Sequence, residues 1–98
     1  MASTPEAKVK KVAITKLKGL GAYFFPPVTG GYGSSGVPDI VGCYRGLFFG
    51  MECKAGKNKP TPLQQKNLDD IAAAGGLALV INEENMNEVS DLLTSATQ

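Results

Sequence analysis

Apolar residues at Val9, Val12, Ala13, Leu17 and Leu20 keep the spacing of one helix face and predict a helix over residues 5–20. Thr4 before Pro5 is a good N-cap followed by proline at the first helical position. Ser3 with Glu6 also fits a capping box. Gly19-Leu20-Gly21 ends that helix. Ala22 to Phe25 then reads as a short strand, stopped by Pro26 and Pro27. Two more apolar strands lie between Gly36 and Lys54, joined by a turn at Tyr44-Arg45-Gly46-Leu47. Thr61, Pro62 and Gln64 open a second helix as N-cap, first-turn proline and capping-box partner. Its buried stripe is Leu68, Ile71 and Ala72, and Gly75-Gly76 closes it. The unbroken run Leu77–Ile81 fits a strand buried on both faces. A last helix is expected from near Asn82, with Glu83 and Glu84 at its positive end and Met86, Val89, Leu92 and Leu93 on its apolar face. The tail from Thr94 is expected to fray.

The resulting order, α-β-β-β-α-β-α with a core over about 5–93, predicts an α/β domain in which a mixed sheet is flanked by helices. The β-helix-β run from 47 to 81 permits a right-handed parallel crossover. With 98 residues, 43% of them hydrophobic, a single domain spanning 1–98 is expected. No apolar run approaches the length of a membrane span, and the first residues lack the apolar centre of a signal peptide. A soluble cytoplasmic protein is the expectation. Cys43 and Cys53 stand ten positions apart in predicted strand and the chain has no histidine, which argues against a zinc site. Two buried free thiols are expected.

The net charge of +1 conceals a division. All ten Lys and Arg lie within residues 1–66, against only Glu6, Asp39 and Glu52, so that part carries +7. From Asn67 onward there are six acids and no basic residue, hence −6. Ordinary surface charge accounts for such a split about as well as a polyanion-facing half does.

Against this frame a few polar residues are out of place. Asp39 enters the second strand, and Glu52 and Lys54 leave the third on a shared face, while Met51 and Cys53 point the other way. Charges on hydrophobic strands are unfavourable unless paired or used. A solvated Glu52–Lys54 ion pair beside a turn-capping Asp39 is the plain reading. Alternatively, two carboxylates on neighbouring strands can hold a hard divalent cation through oxygen. Such a cation would polarise a phosphoryl oxygen and lower the pKa of a bound water, with Lys54 to position or deprotonate that water. Phosphodiester hydrolysis is the reaction these parts fit. Glu6 falls within the apolar stripe of its helix, where it either caps the helix or points into a site at the core's edge. Gln64 occupies the equivalent place on the second helix. The glycine-rich stretch Thr29–Gly36 contains a formal Gly-x-Gly-x-x-Gly at Gly31, Gly33 and Gly36, but it leads through Val37-Pro38 into a strand rather than a helix. It therefore gives no nucleotide-cofactor site.

Pro38-Asp39 at the mouth of one strand, a turn, then Glu52-Cys53-Lys54 ending the next resembles the PD-(D/E)xK nuclease superfamily, whose fold is the restriction-endonuclease-like core. More narrowly, the chain is similar to virus-type replication-repair nuclease (VRR-NUC) domains. The matching features are Glu6, Gly36-Val37-Pro38-Asp39-Ile40, Met51-Glu52-Cys53-Lys54-Ala55-Gly56 and Thr61-Pro62-Leu63-Gln64, over roughly residues 5–82. The resemblance implies that Asp39, Glu52 and the main-chain carbonyl of Cys53 ligate Mg²⁺ or Mn²⁺. Glu6 would sit at or just behind the metal, Lys54 would serve the attacking water, and Gln64 would orient Lys54 or a phosphate. It further implies a structure-selective DNA endonuclease that works as a homodimer on branched DNA, including four-way (Holliday) junctions, in a bacterial or phage-infected host cell. Relatives that act on flaps make flap or nicking activity the alternative within the family. Tyr23, Phe24 and Phe25 with Pro26 and Pro27 are a dense apolar stretch suited either to a dimer interface or to the monomer core. Outside the family, the charge asymmetry alone suits a non-catalytic DNA-binding module, and a protein-interaction domain with a spent active site is a third reading.

Overall fold

The computed structural model describes residues 4–28 and 36–98. The capping role of Ser3 and the stretch from Thr29 through Gly31 and Gly33 to Ser35 lie outside the described residues. The elements are α1 (Pro5–Leu20), β1 (Tyr23–Phe25), β2 (Ile40–Tyr44), β3 (Leu47–Cys53), α2 (Pro62–Ala73), β4 (Leu77–Ile81) and α3 (Val89–Ala96). This is the order the sequence predicts. The strands form one mixed sheet in the order β1-β2-β3-β4. The first three run antiparallel and β4 lies parallel to β3, returned there by α2.

Local chemistry fixes most boundaries. The hydroxyl of Thr4 accepts from the N–H of Ala7, and Gly21 ends α1 at φ +76°. Arg45 and Gly46 both take positive φ, 51° and 83°, so the β2–β3 hairpin has the mirror-image turn whose twist matches its strands. Thr61 and Gln64 form the expected capping box, each side chain bonded to the other's backbone.

Period-two alternation divides the sheet into two faces. On one face Ile40, Phe49, Met51, Cys53 and Ile81 meet Val9, Ala13 and Leu17 of α1 and Val89 and Leu93 of α3, forming the core. The other face carries Gly50 and Glu52 on β3 and is covered by α2. Gly50 has no side chain where Ile71 and Pro38 come in; a Cβ there would stand 2.6 Å from Ile71 Cδ1. Gly36 is equally close but against backbone, since its Cβ would meet the Leu63 carbonyl carbon at 2.7 Å. The chain just before Asp39 thus packs on the first turn of α2.

Several expectations change. Ala72, placed on the buried stripe of α2, is exposed, and the tail from Thr94, expected to fray, is helical to Ala96. The apolar run of β4 belongs to an edge strand, half-buried from Leu77 to Val80. Leu77, Leu79 and Ile81 pack on the core from one face and α2 lies against the other, so the burial expected on both faces is only partial. The last helix starts at Val89, after a single 3-10 turn at Met86–Glu88. Asn85 accepts from the N–H of Asn82 and donates to the Val80 carbonyl, while the Asn82 side chain accepts from Glu84 N–H. These side-chain bonds compete with helix formation and hold a turn where a helix start is expected. Finally, only Cys53 is buried. Cys43 is exposed, because its partner pairs Tyr23 and Phe48 belong to the part of the sheet that α2 leaves uncovered. Tyr23 and Phe25 are likewise exposed there, whereas Phe24 packs against the core. Among the described residues no helix is long and apolar enough to cross a membrane.

Candidate active site

Met51 of β3 pairs with Ile40 of β2, so Asp39, one residue before β2, falls opposite Glu52. The sequence order Pro-Asp, hairpin, Glu-x-Lys is thereby converted into neighbouring side chains. Asp39 Oδ2 accepts a hydrogen bond from the main-chain N–H of Cys53 at 2.8 Å. Lys54 Nζ stands 3.8 Å from Glu52 Oε2, and the Lys54 side chain is only 12% exposed. Asp39, Glu52 and Lys54 therefore converge.

Glu52 is the group the fold has to explain. It lies on a central strand, 2% exposed, between Asp39 and the parallel neighbour Val80. Its Oε1 is buried without a hydrogen-bond partner. Burial, then the charge of Asp39, then hydrogen bonding to Asp39 that favours the protonated acid, push its pKa up to about 8, with a smaller push from Glu6. Lys54 acts in the opposite sense and does not offset them. A buried carboxylate facing a second carboxylate is unfavourable in isolation. The same arrangement gives a hard cation oxygen donors from two sides, which is the donor chemistry that Mg²⁺ and Mn²⁺ select. The Asp39–Glu52 pair fits such an ion.

The remaining residues divide. Glu6 is exposed on the first turn of α1 and reaches the site through its charge, raising the pKa of Glu52 and of Cys53. Among the described residues no three Asp, Glu, His or Cys side chains come together as a metal cage. The carboxylate site is thus a pair, with Glu6 outside it. Cys53 turns its thiol into the core, where burial and the charges of Asp39 and Glu52 raise it to about 12. Such a thiol is inert, and Cys53 can contribute only its backbone. Gln64 spends its carbonyl oxygen on the Thr61 N–H at 2.9 Å, which leaves its amide nitrogen as the group able to act elsewhere.

Sequence reasoning missed Glu83, whose Oε1 accepts from the Gly56 N–H at 2.9 Å. Together with the bond from Lys54 N–H to the Ile81 carbonyl at 2.9 Å, it ties the turn after Lys54 to the end of β4. The pair Asn82 and Asn85 was the available signal: asparagines three apart favour a turn, and a turn frees Glu83 to face Gly56. No family model and no curated protein matches the chain.

Proposed function

We propose that this chain is a metal-dependent endonuclease of the VRR-NUC type, with the restriction-endonuclease-like version of its α/β fold, hydrolysing phosphodiester bonds in branched DNA. The reading is carried by one observation: Glu52 is buried with an unpartnered oxygen and faces Asp39, with Lys54 alongside. Buried polar groups are seldom left unsatisfied without a use.

Asp39, Glu52 and the main-chain carbonyl of Cys53 would hold Mg²⁺ or Mn²⁺. Held by these residues, such an ion would supply Lewis acidity toward a phosphoryl oxygen and a bound water. The chain's own contribution starts with Glu52, which has to lose its proton before it can ligate. Asp39 is oriented for the same role by the Cys53 N–H. Lys54, held against Glu52, positions the attacking water and steadies the phosphate charge. In the hydrolysis the water oxygen bonds to phosphorus and the bond to the leaving sugar oxygen breaks. One water proton ends on the leaving group and the other passes to solvent. The basic part of the chain, residues 1–66, draws in the polyanion.

Exposed Tyr23 and Phe25 supply an apolar surface for a second copy. A two-fold dimer would set two such centres on a symmetric four-way junction. The cell compartment proposed is the cytoplasm of a bacterial or phage-infected host. The test is cleavage of labelled four-way junctions, flaps and duplex in Mg²⁺ or Mn²⁺ by wild type, Asp39→Asn and Lys54→Ala. Wild type should cut junctions with both variants reduced at least a hundredfold, on the order expected for groups acting in the transition state. Equal cutting by all three removes this active site. DNA binding without cleavage or metal uptake identifies a binding module instead.

A further inference from the structure

At the carboxyl ends of the parallel strands β3 and β4, against Val80, the register partner of Glu52, lies a cavity of about 360 Å³. The volume lies within the roughly 300–1,000 Å³ range of small-molecule sites. We propose that this cavity, lined by Lys57, Lys59, Pro60, Val80, Asn82 and Glu84, takes one unpaired nucleotide of the substrate strand adjacent to the scissile phosphate. The inference rests on the nuclease reading for its substrate and adds that the strand must be single-stranded at that position.

Val80 gives the cavity its place. It is the register partner of Glu52 on β4 and points to the same face, one strand spacing (about 4.8 Å) away. In the proposed complex a nucleotide resting on Val80 would neighbour a phosphate held at Glu52. The walls are set in advance. On one side the turn is closed by Asn58 N–H bonding the Ala55 carbonyl and tied across by Gly56 to Glu83. On the other, Asn82 is fixed by its bonds to Glu84 N–H and from its own N–H to Asn85.

The chemistry of the lining matches the parts of a nucleotide. Lys57 and Lys59 are exposed, and neither reaches a carboxylate: the ion pairs among the described residues are Lys54–Glu52 and Lys66–Asp70. Two unpaired cations on one wall suit a phosphate. Val80 and the Pro60 ring offer an apolar surface to a base face. Glu84, a carboxylate that would repel phosphate, suits an exocyclic amino group, as carboxylates accept from cytosine N4. A base within a duplex cannot present its face and its pairing edge together, so the occupant is unstacked and unpaired.

The test reads binding without metal. The full chain in EDTA is titrated with dCMP and with dTMP while backbone amide resonances are followed. Shifts centred on Gly56, Val80 and Asn82 are expected, lost in Lys57→Ala/Lys59→Ala. Glu84→Ala, which removes the acceptor, should weaken dCMP about fivefold, the size of one hydrogen bond, and leave dTMP unchanged. In parallel, the lysine double variant should weaken a DNA with an unpaired strand about tenfold and a blunt duplex by less than about threefold. Shifts elsewhere, or equal losses on both DNAs, overturn the proposal. Saturable dCMP binding with no effect of the double variant on either DNA points to a free nucleotide and also overturns it. The nuclease reading is judged separately. Metal-dependent cutting abolished by Asp39→Asn, with the cavity indifferent to nucleotides, leaves that reading standing and ends this one. Occupied cavity resonances in a chain that cuts equally with Asp39→Asn do the reverse.

Discussion

Asp39 and Cys53 are joined across the mouth of the hairpin: the main-chain N–H of Cys53 donates to Asp39 Oδ2 at 2.8 Å. The bond fixes a carboxylate beside Glu52 by means of the backbone of the residue that follows Glu52. It makes the placement of one acid depend on the strand of the other, and it separates two properties that mutation can read independently.

Asp39→Asn keeps an oxygen able to accept from Cys53 while removing the charge. Its stability should stay within about 0.5 kcal/mol of wild type, whereas cleavage should fall by at least about a hundredfold. Asp39→Ala leaves the Cys53 N–H without its acceptor and should lose a further 1–2 kcal/mol or so. Urea unfolding beside junction cleavage checks both. Equal stability losses for the two variants would mean that the bond does not position the acid.

Glu52 sets a pH dependence whose sign can be worked out. Its pKa is about 8 in the folded chain against an ordinary 4.5, so between these values the folded state holds a proton that the unfolded state has released. Metal-free stability from this group is fully present below about pH 4.5 and is lost as pH rises through about 8. Glu52→Gln carries no such proton. Its unfolding free energy should match wild type near pH 5 and exceed it by on the order of 3 kcal/mol at pH 8.5. Adding Mg²⁺ or Mn²⁺ at pH 8.5 should raise the wild-type melting temperature and leave Glu52→Gln unmoved. Below pH 8 each metal bound should displace about one proton, measurable by calorimetry in buffers of different ionisation heat.

What could be read from the letters and what could not follows from the range of the forces. Thr4, the Arg45-Gly46 turn and the Thr61–Gln64 box act within a few residues, and each took its expected form. Asp39, Glu52 and Lys54 stood out because charge on an apolar strand is a local anomaly, and hairpin register then determines that they meet. Cys43, β4 and the start of α3 depend on which part of each sheet face a helix covers, and on asparagine side chains reaching across a turn. Period-two alternation says that two faces exist and leaves open which one is covered. The tie from Glu83 to Gly56 spans 27 positions and has no local signal beyond the asparagines that shape its loop.

Gly36 tests how tightly the approach to Asp39 is held. A Cβ there would stand 2.6 Å from Leu63 Cγ and 2.7 Å from the Leu63 carbonyl carbon and oxygen. The side-chain clash can be relieved, while the backbone clash requires the first turn of α2 to shift. Gly36→Ala should therefore destabilise by about 1–3 kcal/mol. Adding Leu63→Ala should not restore the loss, since the backbone obstruction persists. Recovery in the double variant would place the crowding in the leucine side chain alone.

Gln64 is where a structural role and a chemical one can be separated, because its two amide ends have different duties. The oxygen caps α2 through Thr61 N–H, and Thr61 returns the bond to Gln64 N–H at 3.2 Å. Thr61→Ala removes half of this box and no chemistry, so it should lower stability by about 1 kcal/mol and change cleavage little once the chain is folded. Gln64→Glu retains an oxygen for Thr61 N–H and adds a negative charge favourable at a helix N-terminus, so its stability should equal or slightly exceed wild type. It also loses the only donor that Gln64 can offer to a phosphate or a water. If that donor serves hydrolysis, Gln64→Glu will cut about tenfold more slowly than Thr61→Ala despite being the more stable protein. Equal cleavage by the two would confine Gln64 to its cap and leave Asp39, Glu52 and Lys54 to carry the reaction.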